Sequence, residues 1–168
     1  MKSIETDRLI LRKVTLKDVD DLFTNWASDV DTTKYLTFDT HKEIRETEAI
    51  VRKMLAREND GYFEWIVEVK SNQEVIGIIS AKRTDEDKCL EIGYSISSQY
   101  WNKGLVTEGL QEVIKYLFRE CDINKIKAVI SEDNIKSIRV ASKCGLSFEG
   151  KLKDENQNLV VYSMIKNK

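Results

Sequence analysis

The chain contains no proline and no stretch of low complexity. With no proline-rich linker and no repeat period to mark a boundary, residues 1–168 are expected to form one domain with a full hydrophobic core. Histidine occurs once, at His41, which argues against a histidine-based metal site, and no metal is expected. The three cysteines, Cys89, Cys121 and Cys144, show neither CxxC nor Cys/His spacing. They are expected as buried thiols in a reducing cytoplasm, not as disulfides or metal ligands. An excess of one charge is also missing: 27 Lys and Arg oppose 29 Asp and Glu, for a net charge of −2. That balance excludes a broad nucleic-acid surface, and no basic helix is available to lie on a membrane. No apolar run approaches a transmembrane span, and Met1-Lys2-Ser3-Ile4-Glu5 does not open like a signal peptide, so a cytoplasmic location is expected.

What the sequence does have is one stretch, Glu91 to Phe118, whose period changes midway. Leu90, Ile92, Tyr94 and Ile96 alternate with Glu91, Gly93 and Ser95, as in a pleated strand. Val106, Leu110, Val113, Ile114, Leu117, Phe118 and Cys121 then form one apolar helical stripe. Between them lies the turn Gln99-Tyr100-Trp101-Asn102-Lys103-Gly104. A strand entering a helix through so short a turn leaves the first helical N–H groups without partners and points the positive end of the dipole into the turn. Phosphate or pyrophosphate suits that setting. The phosphate loop of nucleoside triphosphatases is excluded, because Gly104 follows Lys103. A dinucleotide fingerprint would need more glycines than Gly104 and Gly109, and an acidic partner downstream.

The run Glu91-Ile92-Gly93-Tyr94, followed by Tyr100, Trp101, Lys103, Gly104, Thr107 and Glu108, resembles the acetyl-CoA-binding signature of the GNAT N-acetyltransferases. The likeness is strongest to the branch containing ribosomal-protein N-terminal acetyltransferases. The opening run from Ile4 to Phe23 resembles the start of the same branch. Two positions depart from the pattern: Asn102 stands where glycine is usual, and Val106 where alanine or glycine is usual. Asparagine tolerates positive φ. A β-branched Val106 either crowds the phosphates or points inward with the Leu110 face.

The resemblance implies acetyl-CoA as acyl donor, with its pyrophosphate on the amides of Asn102, Lys103, Gly104, Leu105, Val106 and Thr107. It further implies a free backbone N–H near Tyr94, Ser95 and Ile96 to polarise the thioester carbonyl, and Asn134 against the pantetheine. Many members carry a tyrosine seven residues after that asparagine as the acid for the leaving thiolate; here that residue is Ala141. The ribosomal-protein branch has a serine three residues after the asparagine, which is Ser137 here.

The remaining elements read as follows. Leu9 and Leu11 mark a first short strand; Thr15, with Asp18 at the capping-box position, starts a helix with stripe Val19, Leu22, Phe23 and Trp26. Asp29 to Asp39 reads as a polar loop. Thr40 with Glu43 suggests a second cap before a helix with Ile44, Val51, Met54 and Leu55 inward, ended by Asn59-Asp60-Gly61. Strands follow around Phe63–Val69 and Val75–Ala81, with a charged hairpin loop at Thr84–Lys88. After the phosphate-turn helix, residues Ile126–Ile130 form a strand reached by a parallel crossover. Asn134 caps a last helix that Gly145 stops, and two alternating segments joined by Asp154-Glu155-Asn156-Gln157 complete the chain. The expected fold is α+β, a mixed, mostly antiparallel sheet of about seven strands flanked by helices.

Transfer of acetyl from a thioester to an amine needs a neutral amine, a polarised carbonyl and a protonated leaving thiolate. Glu91 is the first candidate base, since its strand runs beside the thioester. Glu64 and Glu68, on one face of a neighbouring strand, are alternatives, and water relay needs none of them. Each also reads as an ordinary solvated or paired charge. Ser137 reads equally as a helix-start hydroxyl, and Cys144 as a buried thiol. Tyr35 and Phe38 lie off any stripe and suit the acceptor entrance; Trp26, on a stripe, suits the core. The acceptor is a primary amine, of a protein N-terminus or a small molecule, and the chain a monomer or a homodimer pairing through an exposed last strand. A CoA-binding sensor or scaffold, and a protein for another phosphate ligand such as a nucleotide, are the alternative functions.

Overall fold

The structure, a computed structural model, describes residues 1–57, 60–154 and 157–166. One eight-stranded sheet runs through it: β1 (Ile4–Glu5), β2 (Leu9–Arg12), β3 (Tyr62–Val69), β4 (Val75–Arg83), β5 (Cys89–Ile96), β6 (Lys125–Ser131), β7 (Ser147–Asp154) and β8 (Gln157–Ile165). Their order in the sheet is β1-β2-β3-β4-β5-β6-β8-β7, and only β5–β6 is parallel. The mixed, mostly antiparallel α+β sheet is as expected, with one strand more, because two-residue β1 carries no alternation to read.

Helices cover both faces. On one, α4 (Leu105–Glu120) sets Leu110, Val113, Ile114 and Leu117 against Leu9, Leu11, Trp65, Ile79 and Ile92. Helix α5 (Ile135–Lys143) adds Ala141 to the same core. On the other face, a 3-10 turn (Leu16–Asp18), α1 (Val19–Leu22) and a π turn (Phe23–Ala27) run on continuously, and with α3 (Ile44–Ala56) they bury Leu22, Trp26, Val51 and Met54 against Ile66 and Val75. Strand β3 therefore presents Trp65 and Val67 to one layer and Ile66 to the other. Among the described residues no helix is long and apolar enough to cross a membrane.

Local signals held where a cap decides them. The Asp18 carboxylate accepts the Thr15 backbone N–H at 2.6 Å, and Asn134 Oδ1 accepts the Ser137 N–H at 3.1 Å. Gly145, at φ +89°, stops α5.

Other expectations are corrected. The cap of α3 lies three residues later than expected: Glu46 accepts the N–H groups of Lys42 and Glu43, while Thr40 pairs its hydroxyl with Thr33. Ile44 and Leu55 are exposed, since the face turned to the sheet carries Val51 and Met54, with Ile50 beside them. The polar loop contains a one-turn helix, α2 (Val30–Thr33), capped by Asp29. Cys89 and Cys144 are buried and Cys121 only partly so. The last strand is not an edge: β8 lies between β6 and β7, and β7 is the outer strand. Asn59 of the expected helix stop, and Glu155 and Asn156 of the last turn, lie outside the described residues.

Candidate active site

The β5–β6 ladder has three residue pairs, Cys89↔Lys125, Leu90↔Ile126 and Glu91↔Lys127. Beyond Glu91 the two strands diverge: β5 continues beside β4 up to Ile96, and β6 beside β8 up to Ser131. The divergence opens a cleft of about 670 Å³ between Ile92–Ile96 and Ala128–Ser131, walled by the turn before α4, by α5 and by α2. The edge of β5 facing this gap makes no ladder, so its polar backbone is available to a ligand.

At one end of the cleft is the turn. Asn102 (φ +60°) and Gly104 (φ +76°) both take left-handed backbone, which turns successive N–H groups toward one concavity at the start of a sixteen-residue helix. Trp101 ties the turn to the strand end, its indole N–H donating to the Ile96 carbonyl at 2.9 Å. Lys34, Lys136, Arg139 and Lys143 also line the cleft and form no ion pair among the described residues, with the Lys136 ammonium 3.7 Å from the centre of the Trp101 ring. Lys136, Arg139 and Lys143 share one face of α5 by their spacing. Asp31 and Asp133 are the acidic groups of the same wall.

Across the gap, Tyr94 of β5 donates its hydroxyl to the Ser137 carbonyl at 2.7 Å and so ties the strand to the first turn of α5. Burial pushes the Tyr94 phenol up to about 12, which keeps it protonated. Asn134, Ser137, Ser95 and Ile96 line this cleft with it, while Lys103 lies just outside, its ammonium over the Tyr100 ring. Leu105 is buried; Val106 is half-buried, touching both the core and the cleft. Cys144 lies behind, its Sγ 3.7 Å from the Thr107 carbonyl and its thiol pushed up to about 12 by burial.

A second, polar cleft of about 290 Å³ opens on the α1–α3 face of the sheet. Cross-strand register builds its floor: Glu64↔Ser80↔Gly93 form one row and Tyr62↔Lys82↔Glu91 the next. Lys82 Nζ lies 2.9 Å from Glu91, and Arg57, just past α3, clamps Glu64 with two N–H groups while its guanidinium covers the Tyr62 ring. Gly93 alone lines both clefts. A Cβ there would lie 3.1 Å from Ser80 Oγ, so a larger residue at this position would press on the floor of the polar cleft.

The sequence-named acceptor residues divide. Glu91 and Glu64 share the polar cleft; Glu68 does not, being held by Arg12 at 2.7 Å, with Arg12 also gripping Asp18. Tyr35 lines the first cleft, and its hydroxyl donates to the Asp133 carbonyl at 3.3 Å. Phe38 instead packs edge-on against Trp26 and beside His41, in the satellite core. Trp26 itself is buried, as its stripe predicts, and its indole N–H reaches Ser95 Oγ at 3.1 Å. Arg57, Ser80 and Lys82 had no sequence signal beyond two polar residues in an apolar strand; register places Ser80 and Lys82, and the end of α3 brings Arg57 to them.

A sequence model of the acetyltransferase (GNAT) domain matches residues 8–147. An uncharacterized N-acetyltransferase, p20, of Bacillus licheniformis is 32% identical over 160 residues, covering 92% of this chain and 87% of that protein. The crystal structure of a GNAT-family acetyltransferase from Bacillus anthracis superposes with a TM-score of 0.86 at 27% identity, covering 98% of each chain. A ribosomal L7/L12 alpha-N-protein acetyltransferase, RimL, solved in complex with coenzyme A, has the same fold, with a TM-score of 0.83 at 20% identity and 98% of each chain covered. By sequence and by fold, this chain belongs to the GNAT acetyltransferase family.

Proposed function

We propose that the protein, acting as a single domain, transfers an acetyl group from acetyl-CoA to a primary amine by direct attack in a ternary complex. The observation that carries this is the continuity of the larger cleft: left-handed turn amides, diverging strands, Asn134 and four cations that form no ion pair among the described residues line one groove. That donor set fits a long ligand with a phosphorylated end and an uncharged arm, as acetyl-CoA is, and the solved relative named above holds coenzyme A. Bound there, acetyl-CoA supplies the activated thioester.

The chain's own groups do the rest. Amides from Asn102 to Thr107 hold the pyrophosphate, and Lys136, Arg139 and Lys143 add cationic contacts. The β5 edge at Tyr94–Ile96 donates to the acyl oxygen, and Asn134 meets the pantetheine arm. Glu91, two residues before Gly93 on β5, takes the proton from the arriving ammonium directly or through water, with Glu64 as the neighbouring carboxylate. Ser137 is the hydroxyl available to the leaving sulfur, as the resemblance to the ribosomal-protein branch implies, since Ala141 stands at the position where other members of the family carry tyrosine.

Titration calorimetry with CoA, together with free-thiol release from acetyl-CoA against a panel of amines, tests the reading. Saturable CoA binding and amine-dependent thiol release are expected. Ala141 favours one second reading, a CoA sensor without turnover, for which CoA binds but no amine releases thiol. Thermal stabilisation by ATP and none by CoA would mean a nucleotide ligand.

A further inference from the structure

We infer that the acceptor is a small zwitterionic amine, carrying a carboxylate a few bonds from its amino group as a free amino acid does, bound in the polar cleft on the α1–α3 face. The inference rests on the acetyl transfer proposed above and names its substrate class.

Position comes first. Among the described residues Gly93 is the one that lines both the polar cleft and the cofactor cleft, and it lies just beyond the last β5–β6 pair, Glu91↔Lys127. A ligand on the polar side thus lies against the segment of β5 that borders the strand gap, and its amine is directed to an acyl group at that point. At about 290 Å³ the cleft is smaller than the ~300–1,000 Å³ of pockets for drug-sized ligands, so it takes a small molecule or one terminal residue.

Charge then selects among amines. The floor carries two cations, Arg57 and Lys82, and two carboxylates, Glu64 and Glu91, each cation paired with one carboxylate. A polyamine would bring several positive charges against Arg57 and Lys82 with no excess of acid to receive them. A monoamine without a carboxylate would compete with Lys82 for Glu91 and offer Lys82 no anion in return. A zwitterion matches both signs. Arg57 and Glu64 are the more enclosed pair, their side chains 28% and 10% exposed, whereas the Lys82 side chain is 48% exposed and keeps ammonium protons free beyond its bond to Glu91. The acceptor carboxylate accordingly sits on Lys82 and its amine toward Glu91 and Gly93.

The step balances. The ammonium gives one proton to Glu91 or its water, and the neutral nitrogen bonds to the acetyl carbonyl carbon. The carbon–sulfur bond breaks with its electron pair going to sulfur, and the second nitrogen proton ends on that thiolate. The products are the N-acetyl amino acid, free CoA and one released proton.

The test compares each free L-amino acid with its amide, with a short peptide bearing the same N-terminal residue, and with spermidine, by thiol release. Calorimetric binding of the amino acids to the CoA-loaded protein is the second readout. At least one amino acid should give kcat/KM tenfold or more above its own amide and peptide, and should bind saturably without turnover. Lys82→Met should raise KM for that amino acid tenfold or more and abolish its calorimetric binding, while CoA still titrates normally; Lys82→Arg should restore both. Thiol release favouring the amide, the peptide or spermidine overturns the inference and leaves acetyl transfer standing. No thiol release with any amine overturns both.

Discussion

Arg8 holds Glu108 across one hundred residues of sequence and so fastens the start of β2 to the first turn of α4 and the loop before it. Its Nε donates to Glu108 Oε2 at 2.7 Å and its backbone N–H to Oε1 at 3.0 Å, while Nη1 donates to the Lys103 carbonyl at 2.9 Å. Thr6 adds its hydroxyl. Burial alone would raise the Glu108 carboxyl, but the bonds from Thr6 and Arg8 outweigh it and hold it below the usual carboxylate range. The grip sets the turn from behind, on the side away from the cleft, so Glu108→Ala should raise the Kd for CoA several-fold to about tenfold (~1.4 kcal/mol) and leave kcat at saturating acetyl-CoA nearly unchanged. Equal CoA affinity in calorimetry would show that the turn holds its shape without Arg8.

Gly104 takes a backbone conformation that costs roughly 1–2 kcal/mol for a residue with a side chain. Gly104→Ala should therefore lower stability by about that amount. Gly104→Glu adds a negative charge where phosphate is proposed to sit, and should abolish CoA binding as well. A Glu variant that binds CoA like the parent would place the pyrophosphate elsewhere.

Glu91→Gln should lower kcat about a hundredfold or more with little change in KM for acetyl-CoA. The companion variant Glu64→Gln releases Arg57 and should act mainly on KM for the acceptor. Steady-state kinetics in which only Glu64→Gln loses kcat would move the base to that residue.

Asp29 joins α2 to the end of β5: its carboxylate accepts the Ser98 N–H at 3.1 Å and the Thr32 hydroxyl at 2.7 Å. Burial would raise its pKa, yet bonds from Ser98, Thr32 and Asp31 bring it to about 2. With the folded value below the ordinary ~3.9, its stabilisation is complete above about pH 4 and is lost as pH falls toward 2. Asp29→Asn should start less stable at pH 6 and lose less of its thermal midpoint between pH 4 and 2. Parallel acid profiles for the two proteins would rule this out.

Val106 touches both the core and the cleft. Its half-burial predicts a loss of about 1 kcal/mol for Val106→Ala, with CoA affinity within about twofold of the parent. A denaturant midpoint and a CoA titration on one preparation check both; tighter CoA binding at unchanged stability would mean that the side chain crowds the phosphates.

The sequence by itself determined what depends on neighbours along the chain. The period change between Glu91 and Phe118 and the asparagine that tolerates left-handed backbone at 102 were legible, and so were the Asn134–Ser137 cap and the glycine stop at 145. Each is set by backbone hydrogen bonding and side-chain direction within a few residues. Tertiary structure decided the rest. Thr40 and Glu43 made a plausible capping pair, but burial of Val51 and Met54 goes with a start three residues later, with Glu43 at the cap and Glu46 as its partner. Glu64 and Glu68 looked equivalent in period-2 spacing. They diverge because Arg57 follows α3 onto one and Arg12, on the paired β2, reaches the other. Ser80 and Lys82 gained a place in the polar cleft only through their register against Glu64, Gly93 and Glu91, and a slip of one residue would have turned them to the α4 face. Side chains from three strands and a loop meet there because long-range pairing aligns them, and no local pattern encodes that alignment.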